Sequence, residues 1–167
     1  MKNWRFLLLY VILVVVQILV VRYFGLSHYV LLSVLPVLIL LLPREVGVIL
    51  AMLIAFATGF VVDFFSNGML GITSLALVPV ALTRRPFAEM VFGDDQAAQE
   101  KEFTIARFGI PKISLAILLT CAVYFLVFIW ADSAGTVPFL SAALRYVLSV
   151  VASSLVCVFV AGLLRPN

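Results

Sequence analysis

The residue that most clearly requires a polar or charged partner in this chain is Asp63, in the stretch GFVVDFFSNGMLG at 59–71. It follows a long apolar run, and an ionised carboxylate in hydrocarbon costs several kcal/mol unless a cation or water meets it. Arg145 and Arg22 occur at a similar expected depth, and Arg145 is the deeper of the two. We therefore predict a structural charge pair between Asp63 and Arg145, rather than a transport or catalytic acid.

The residues that follow Asp63 predict a tight hairpin tip. Asn67 and Gly68, after Ser66, are turn residues that permit left-handed backbone conformations. Gly71 then allows close approach at the first turn of the next helix. We expect a buried hairpin tip that holds one charge.

Small residues recur every four positions before the aspartate, at Gly47, Ala51, Ala55 and Gly59. On a helix this spacing makes a slanting groove of small side chains that lets another helix approach closely. Two occupants are compatible with the pattern, namely a helix of the same chain or the transmembrane helix of a partner protein.

Groups for catalysis or metal binding are sparse. His28 is the single histidine and is expected in a solvated loop, and no catalytic motif or paired intramembrane carboxylate occurs. Cys121 and Cys157 both fall in apolar runs, where we expect small buried side chains rather than a disulfide or metal ligands. We predict a protein without enzymatic activity, metal or cofactor.

Four polar side chains are expected near mid-membrane, and none of them is ionisable. We predict that they join helices by hydrogen bonds rather than conduct ions. They are Gln17, Thr58, Ser74 and Thr120.

The elements that position these residues follow from composition. The chain has 167 residues, of which 65% are hydrophobic and only 11% charged, against about a quarter charged in soluble domains. It is therefore expected to be an all-α integral membrane protein with one polytopic domain over 1–167. The net charge of +3 is not a nucleic-acid signal, because its meaning lies in which side of the lipid bilayer holds the cations.

Six transmembrane helices in one bundle are predicted. The second and fourth are short for a bilayer, each contains a proline, Pro36 or Pro79, and both are expected inside the bundle, either spanning or re-entrant. The six predicted spans are approximately 6–24, 29–42, 46–63, 69–82, 112–131 and 140–164.

The cations predict the orientation. With the amino terminus inside, nine cations lie on the cytoplasmic side or its border, and only Arg22 and Arg145 lie toward the outside. This bias predicts an N-in/C-in topology. The nine are Lys2, Arg5, Arg44, Arg84, Arg85, Lys101, Arg107, Lys112 and Arg165.

The break at 83–112 holds most of the water-soluble sequence and is predicted to be a cytoplasmic loop between the fourth and fifth spans. A short helix from Asp94 or Asp95 to Arg107 is expected within it. Such a helix would lie at the membrane interface or dock a cytoplasmic partner.

The stretch GFVVDFFSNGMLGITSLAL, from Gly59 to Leu77, resembles the signature of the MreD family of rod shape-determining membrane proteins. In that signature a small-residue helix ends in Gly-x-x-x-Asp, and a glycine-containing turn leads into Leu-Gly and a polar and small run. The total length, the six spans, Gln17 in the first helix and the N-in/C-in topology are consistent with the family. A Pro-Asp start of the second helix, common in the family, is missing, and Pro36 is expected within that helix instead.

The resemblance implies a non-enzymatic component of the peptidoglycan elongation machinery in the bacterial cytoplasmic (inner) membrane, acting in cell-shape maintenance. It implies an MreC-type single-span partner and, through it, an MreB-type filament and peptidoglycan synthases. The family is also similar in fold to the substrate-binding subunits of energy-coupling-factor vitamin transporters. The alternative is therefore such a subunit, with Ala51 and Ala55 facing a transporter scaffold.

Overall fold

The architecture is seen in a computed structural model that describes residues 2–23, 31–42, 46–65, 69–92, 110–133 and 138–164. All regular secondary structure in these ranges is α-helix, as predicted. The helices are α1 (Lys2–Tyr23), α2 (Leu35–Leu40), α3 (Val48–Phe65), α4 (Ile72–Phe92), α5 (Ile110–Ser133) and α6 (Phe139–Leu164). The predicted helix between Asp94 and Arg107 lies outside the described residues.

Three of these helices are long and apolar enough to cross a membrane. Their apolar stretches are Val48–Phe65, Pro111–Asp132 and Leu140–Gly162, and α1 contributes the shorter apolar stretch Leu8–Val21. Large apolar side chains on these helices, such as Leu155 and Phe159, are exposed on the outer surface of the bundle. Together these features indicate a membrane protein, because such faces require lipid or another apolar surface to cover them.

Helix α2 lies at the centre of the bundle. It packs against α1, α4, α5 and α6, while α3 packs on α4, α4 on α5, and α5 on α6. Every residue from Leu35 to Leu40 is buried. The sequence-based expectation that the second segment sits inside the bundle is therefore met.

The second segment differs from the predicted span at 29–42. Only Leu35–Leu40 is helical, and residues 31–34 have no regular secondary structure. Six helical residues extend for only about 9 Å. Pro36 also lies in the first turn of α2 rather than in a helix interior, so its missing N–H removes no intrahelical hydrogen bond.

The fourth helix is longer than predicted. It continues through Phe92, so it is not a short span ending at 82, and the first ten residues of the predicted loop at 83–112 are helical. Arg84 lies within this extension and is only 2% exposed. Its guanidinium donates to the carbonyl oxygens of Leu42 at 3.4 Å and Val46 at 3.2 Å, so a cation that seemed to mark the end of a span is held inside the protein.

Candidate functional site

Asp63 caps a neighbouring helix. It lies in the last turn of α3 and is 5% exposed. Its Oδ2 accepts hydrogen bonds from the backbone N–H groups of Gly71 at 2.8 Å and Thr73 at 3.0 Å. The first N–H groups of a helix have no partner within it, and that end carries about half a positive charge. Asp63 therefore compensates the start of α4 across the hairpin.

The predicted pair between Asp63 and Arg145 is wrong. Arg145 Nη1 instead donates to Asp132 Oδ2 at 2.9 Å, which links the end of α5 to the start of α6. Each of the two charged side chains thus has its recorded partners within its own hairpin, and the two do not bind each other. Arg145 Nε is buried and has no hydrogen-bond partner in the part of the chain that the structure describes.

The hairpin between α3 and α4 is built around Gly71. This residue has φ of +98°, a conformation that side-chain-bearing residues rarely adopt. The same conformation places its N–H on Asp63. Asn67 and Gly68, the other predicted tip residues, lie outside the described residues.

The small-residue series of α3 divides into a buried part and an exposed start. Ala51, Ala55 and Gly59 are buried, whereas Gly47 precedes the helix, is exposed and has open space where a Cβ would stand. A Cβ on Gly59 would lie 2.5 Å from the backbone N and Cα of Ser74. At Gly59 the groove is therefore filled by α4 of the same chain rather than by a partner.

Two of the four predicted mid-membrane polar residues join helices through side chains. The hydroxyl groups of Tyr10 and Thr58 are 2.7 Å apart and connect α1 to α3. Ser74 Oγ donates to the carbonyl of Phe56 at 3.1 Å and connects α4 to α3. Thr120 donates to the carbonyl of Ala116 in its own helix, at 2.7 Å.

Gln17 holds the irregular segment 31–34 instead of another helix. Its Nε2 donates to the carbonyl of Leu32 at 3.0 Å, and its Oε1 accepts the N–H of Val34 at 2.9 Å. One buried amide thus satisfies a donor and an acceptor of a backbone that has no helical partners. Non-helical backbone at membrane depth is tolerated only where protein satisfies it in this way.

Helix α6 satisfies the other side of that segment. Ser149 Oγ accepts the N–H of Leu31 at 3.0 Å. Ser153 Oγ accepts the N–H of Ser33 at 3.1 Å and donates to the carbonyl of Leu31 at 3.2 Å. Sequence reasoning missed both serines, although their spacing of four residues places them on one helix face.

The two cysteines meet beside this segment. Cys121 and Cys157 are buried, and their Sγ atoms lie 4.0 Å apart. Cys157 also donates to the carbonyl of Ser33 at 3.5 Å. Both are free thiols, and Cys157 serves the irregular segment as a weak donor.

A cavity of about 150 Å³ lies where the Asp63 hairpin meets the irregular segment. Asp63, Thr73, Ser33 and Gln17 contribute polar groups to its wall, and Tyr124 contributes a buried ring and hydroxyl. No local sequence pattern indicates this convergence of polar and aromatic groups. The convergence arises because α5 brings Tyr124 to residues that lie far away in the sequence.

Comparison of the chain with family models, with curated proteins and with solved structures found no match.

Proposed function

We propose that this protein is a non-enzymatic membrane component of the bacterial cell-elongation machinery, of the MreD type, acting in peptidoglycan synthesis and cell-shape maintenance. One observation carries the proposal: the stretch that resembles the family, Gly59 to Leu77, coincides with the α3–α4 hairpin, and three of its described residues have a structural role there. Gly59 admits the backbone of Ser74, Asp63 caps α4, and Gly71 supplies the positive φ.

The proposal places six membrane passes in the bacterial cytoplasmic membrane, with both termini inside. The places where the two ends of segment 31–42 lie along α4 support a second membrane pass by this segment. Leu31 lines the cavity beside Asp63, at the start of α4, whereas Leu42 contacts Arg84, twelve residues after Ile72. Twelve helical residues correspond to about 18 Å, so the segment 31–42 progresses along the bundle although α2 itself is short.

Cysteine labelling tests this topology. The native Cys121 and Cys157 are buried and provide little background. A cysteine introduced at Gly135 should react with a membrane-impermeant reagent from outside intact cells, and one introduced at Gln96 should react only after lysis. Labelling of Gln96→Cys in intact cells would contradict the six-pass arrangement.

The proposed partner is an MreC-type single-span protein, through which the chain would be connected to an MreB-type filament and peptidoglycan synthases. The outer face of α3 offers apolar surface for a transmembrane helix, because Phe56, Phe60 and Phe64 are exposed at four-residue spacing. The rings of Phe56 and Phe60 stack with their centroids 6.4 Å apart.

Co-purification with the MreC-type protein of the same host tests the partnership. We expect the two proteins to co-elute in mild detergent, and Phe60→Ala together with Phe64→Ala to weaken the complex without unfolding the chain. The matched control is a pair of exposed apolar residues on α6, Leu155→Ala with Phe159→Ala. Absence of a complex with wild-type protein would refute the partnership.

The cavity beside Asp63 favours a second candidate, a substrate-binding membrane subunit of an energy-coupling-factor-like vitamin transporter. A site for a small molecule requires a concave space with a few convergent polar groups, and the region around Asp63 and Tyr124 provides both. Expression of the protein together with such a transporter scaffold distinguishes the two functions. Stable assembly with the scaffold and vitamin uptake would support the second candidate over the first.

A further inference from the structure

The cavity beside Asp63 has the size of a small organic group. Its volume is about 150 Å³, and it lies between the ends of α1, α3 and α5, the start of α4 and residues 31–33. An apolar cavity of about this size in another protein holds a benzene molecule. Met69 and Asp132, both exposed, are among the residues that line the cavity.

The carboxylate of Asp63 lines this cavity, and only one of its two oxygens accepts hydrogen bonds from the described residues. Both backbone N–H groups at the start of α4 bind Oδ2. Among the residues that the structure describes, none donates a hydrogen bond to Oδ1, although the side chain is only 5% exposed. The helix start compensates about half a unit of charge. The cavity therefore contains an acceptor oxygen and residual negative charge.

The other lining groups suit a donor that carries positive charge. Tyr124 lines the cavity together with Ser33, Thr73 and Asp63, so its hydroxyl belongs to the same wall as their polar side chains. The rings of Tyr124 and Phe128 stack with centroids 5.7 Å apart and both line the cavity. Aromatic faces attract cations, and hydroxyl oxygens accept the additional N–H groups that a primary ammonium offers.

An inorganic cation fits this wall less well. Calcium and magnesium take six or more oxygen ligands, whereas two carboxylates, Asp63 and Asp132, line the cavity. No group of three potential metal ligands occurs in the part of the chain that the structure describes. Val62, Phe125 and Phe128 give the remaining wall an apolar character that suits the carbon atoms of an organic cation.

We propose that the cavity binds a primary ammonium group, supplied either by a small free amine or by the headgroup of an aminophospholipid. Oδ1 of Asp63 accepts one N–H, the Tyr124 hydroxyl accepts a second, and the aromatic rings cover the attached carbon atoms. This inference goes beyond the proposed role in cell elongation and does not depend on it.

Binding measurements on the full chain in lipid nanodiscs test the proposal and separate the two sources. In phosphatidylglycerol nanodiscs, calorimetric titration with ethanolamine should show saturable binding if the source is a free amine, with choline binding more weakly because it has no N–H donor. Native mass spectrometry of protein released from nanodiscs containing phosphatidylethanolamine should show one retained aminophospholipid if the source is a headgroup.

Two variants make the test specific. Asp63→Asn removes the charge but keeps an oxygen for the N–H groups of Gly71 and Thr73, so the hairpin should persist while binding weakens about tenfold or more. Val62→Phe fills the cavity and should abolish binding, whereas Leu53→Phe, exposed on the same helix, should leave it unchanged.

The binding measurements either support or overturn the proposal. The proposal is supported if either ammonium source binds the wild-type chain, binds Asp63→Asn about tenfold or more weakly, and does not bind Val62→Phe. Three results would overturn it: neither source binds, binding persists in Asp63→Asn and Val62→Phe, or sodium competes as well as ethanolamine.

Discussion

The carboxylate of Asp63 accepts the backbone N–H of Thr73 at 3.0 Å, so the charge at the end of α3 belongs to the start of α4. The arrangement explains why an acid stands after a run of apolar and small residues. It supplies hydrogen bonds and negative charge where the fourth helix has unpaired N–H groups. Two contacts therefore hold α3 against α4: this cap, and the close approach of Gly59 to the backbone of Ser74.

The first prediction compares two replacements of Asp63. Asp63→Ala removes the acceptor of two N–H groups and should lower the free energy of unfolding by about 2–4 kcal/mol. Asp63→Asn keeps an acceptor oxygen and should lose less than half as much. Reversible unfolding in mild detergent measures both, and equal losses would show that the cap is not the stabilising interaction.

The second prediction concerns the two charges that the sequence seemed to pair. Because Asp63 and Arg145 bind different groups, the losses in Asp63→Asn and Arg145→Gln should add in the double variant. The pair between Arg145 and Asp132 has side chains 17% and 35% exposed, so its coupling energy should be about 0–1 kcal/mol. A coupling above about 2 kcal/mol between Asp63 and Arg145 would contradict the observed partners.

The third prediction uses two glycines of the same small-residue series. Gly59→Ala places a Cβ 2.5 Å from the backbone of Ser74, so α3 and α4 must separate and stability should fall by about 1–3 kcal/mol. Gly47→Ala meets open space and should change stability by less than about 0.5 kcal/mol. Thermal unfolding of the two variants side by side checks this, and similar midpoints would contradict the close approach at Gly59.

The fourth prediction concerns the irregular segment. Gln17→Leu leaves the carbonyl of Leu32 and the N–H of Val34 without partners and should cost about 2–5 kcal/mol. Thr120→Val is the control, because among the described residues its hydroxyl bonds within its own helix, so the loss should stay below about 1 kcal/mol. If unfolding measurements give Gln17→Leu the smaller loss, the segment does not depend on this amide.

The sequence predicted those helices whose apolar runs are continuous. It placed α1, α3, α5 and α6 within a few residues of their observed bounds, because uninterrupted apolar sequence of that length has few other stable conformations in a membrane. It did not predict the irregular start of the second segment. The groups that satisfy this backbone, Gln17 and Ser153, lie far from it in the sequence.

The sequence identified Asp63 as a residue of the site, but it did not identify the groups that Asp63 contacts. The position of Asp63 beside a glycine-containing turn was readable, but depth alone cannot distinguish a guanidinium from a backbone N–H as its partner. Arg84 shows the same limit, since a cation usually marks the end of a span but is buried here against the carbonyls of Leu42 and Val46. The cavity depends on Tyr124, which no local pattern connects to Asp63.

Depletion of the protein in its own host, with complementation by variants, tests the proposed role most directly. We predict rounded, swollen cells on depletion, with normal outline restored by the wild-type chain and by Gly47→Leu but not by Gly59→Leu. Unchanged cell shape after depletion, together with a new requirement for a vitamin, would contradict the role in elongation and favour the transporter subunit.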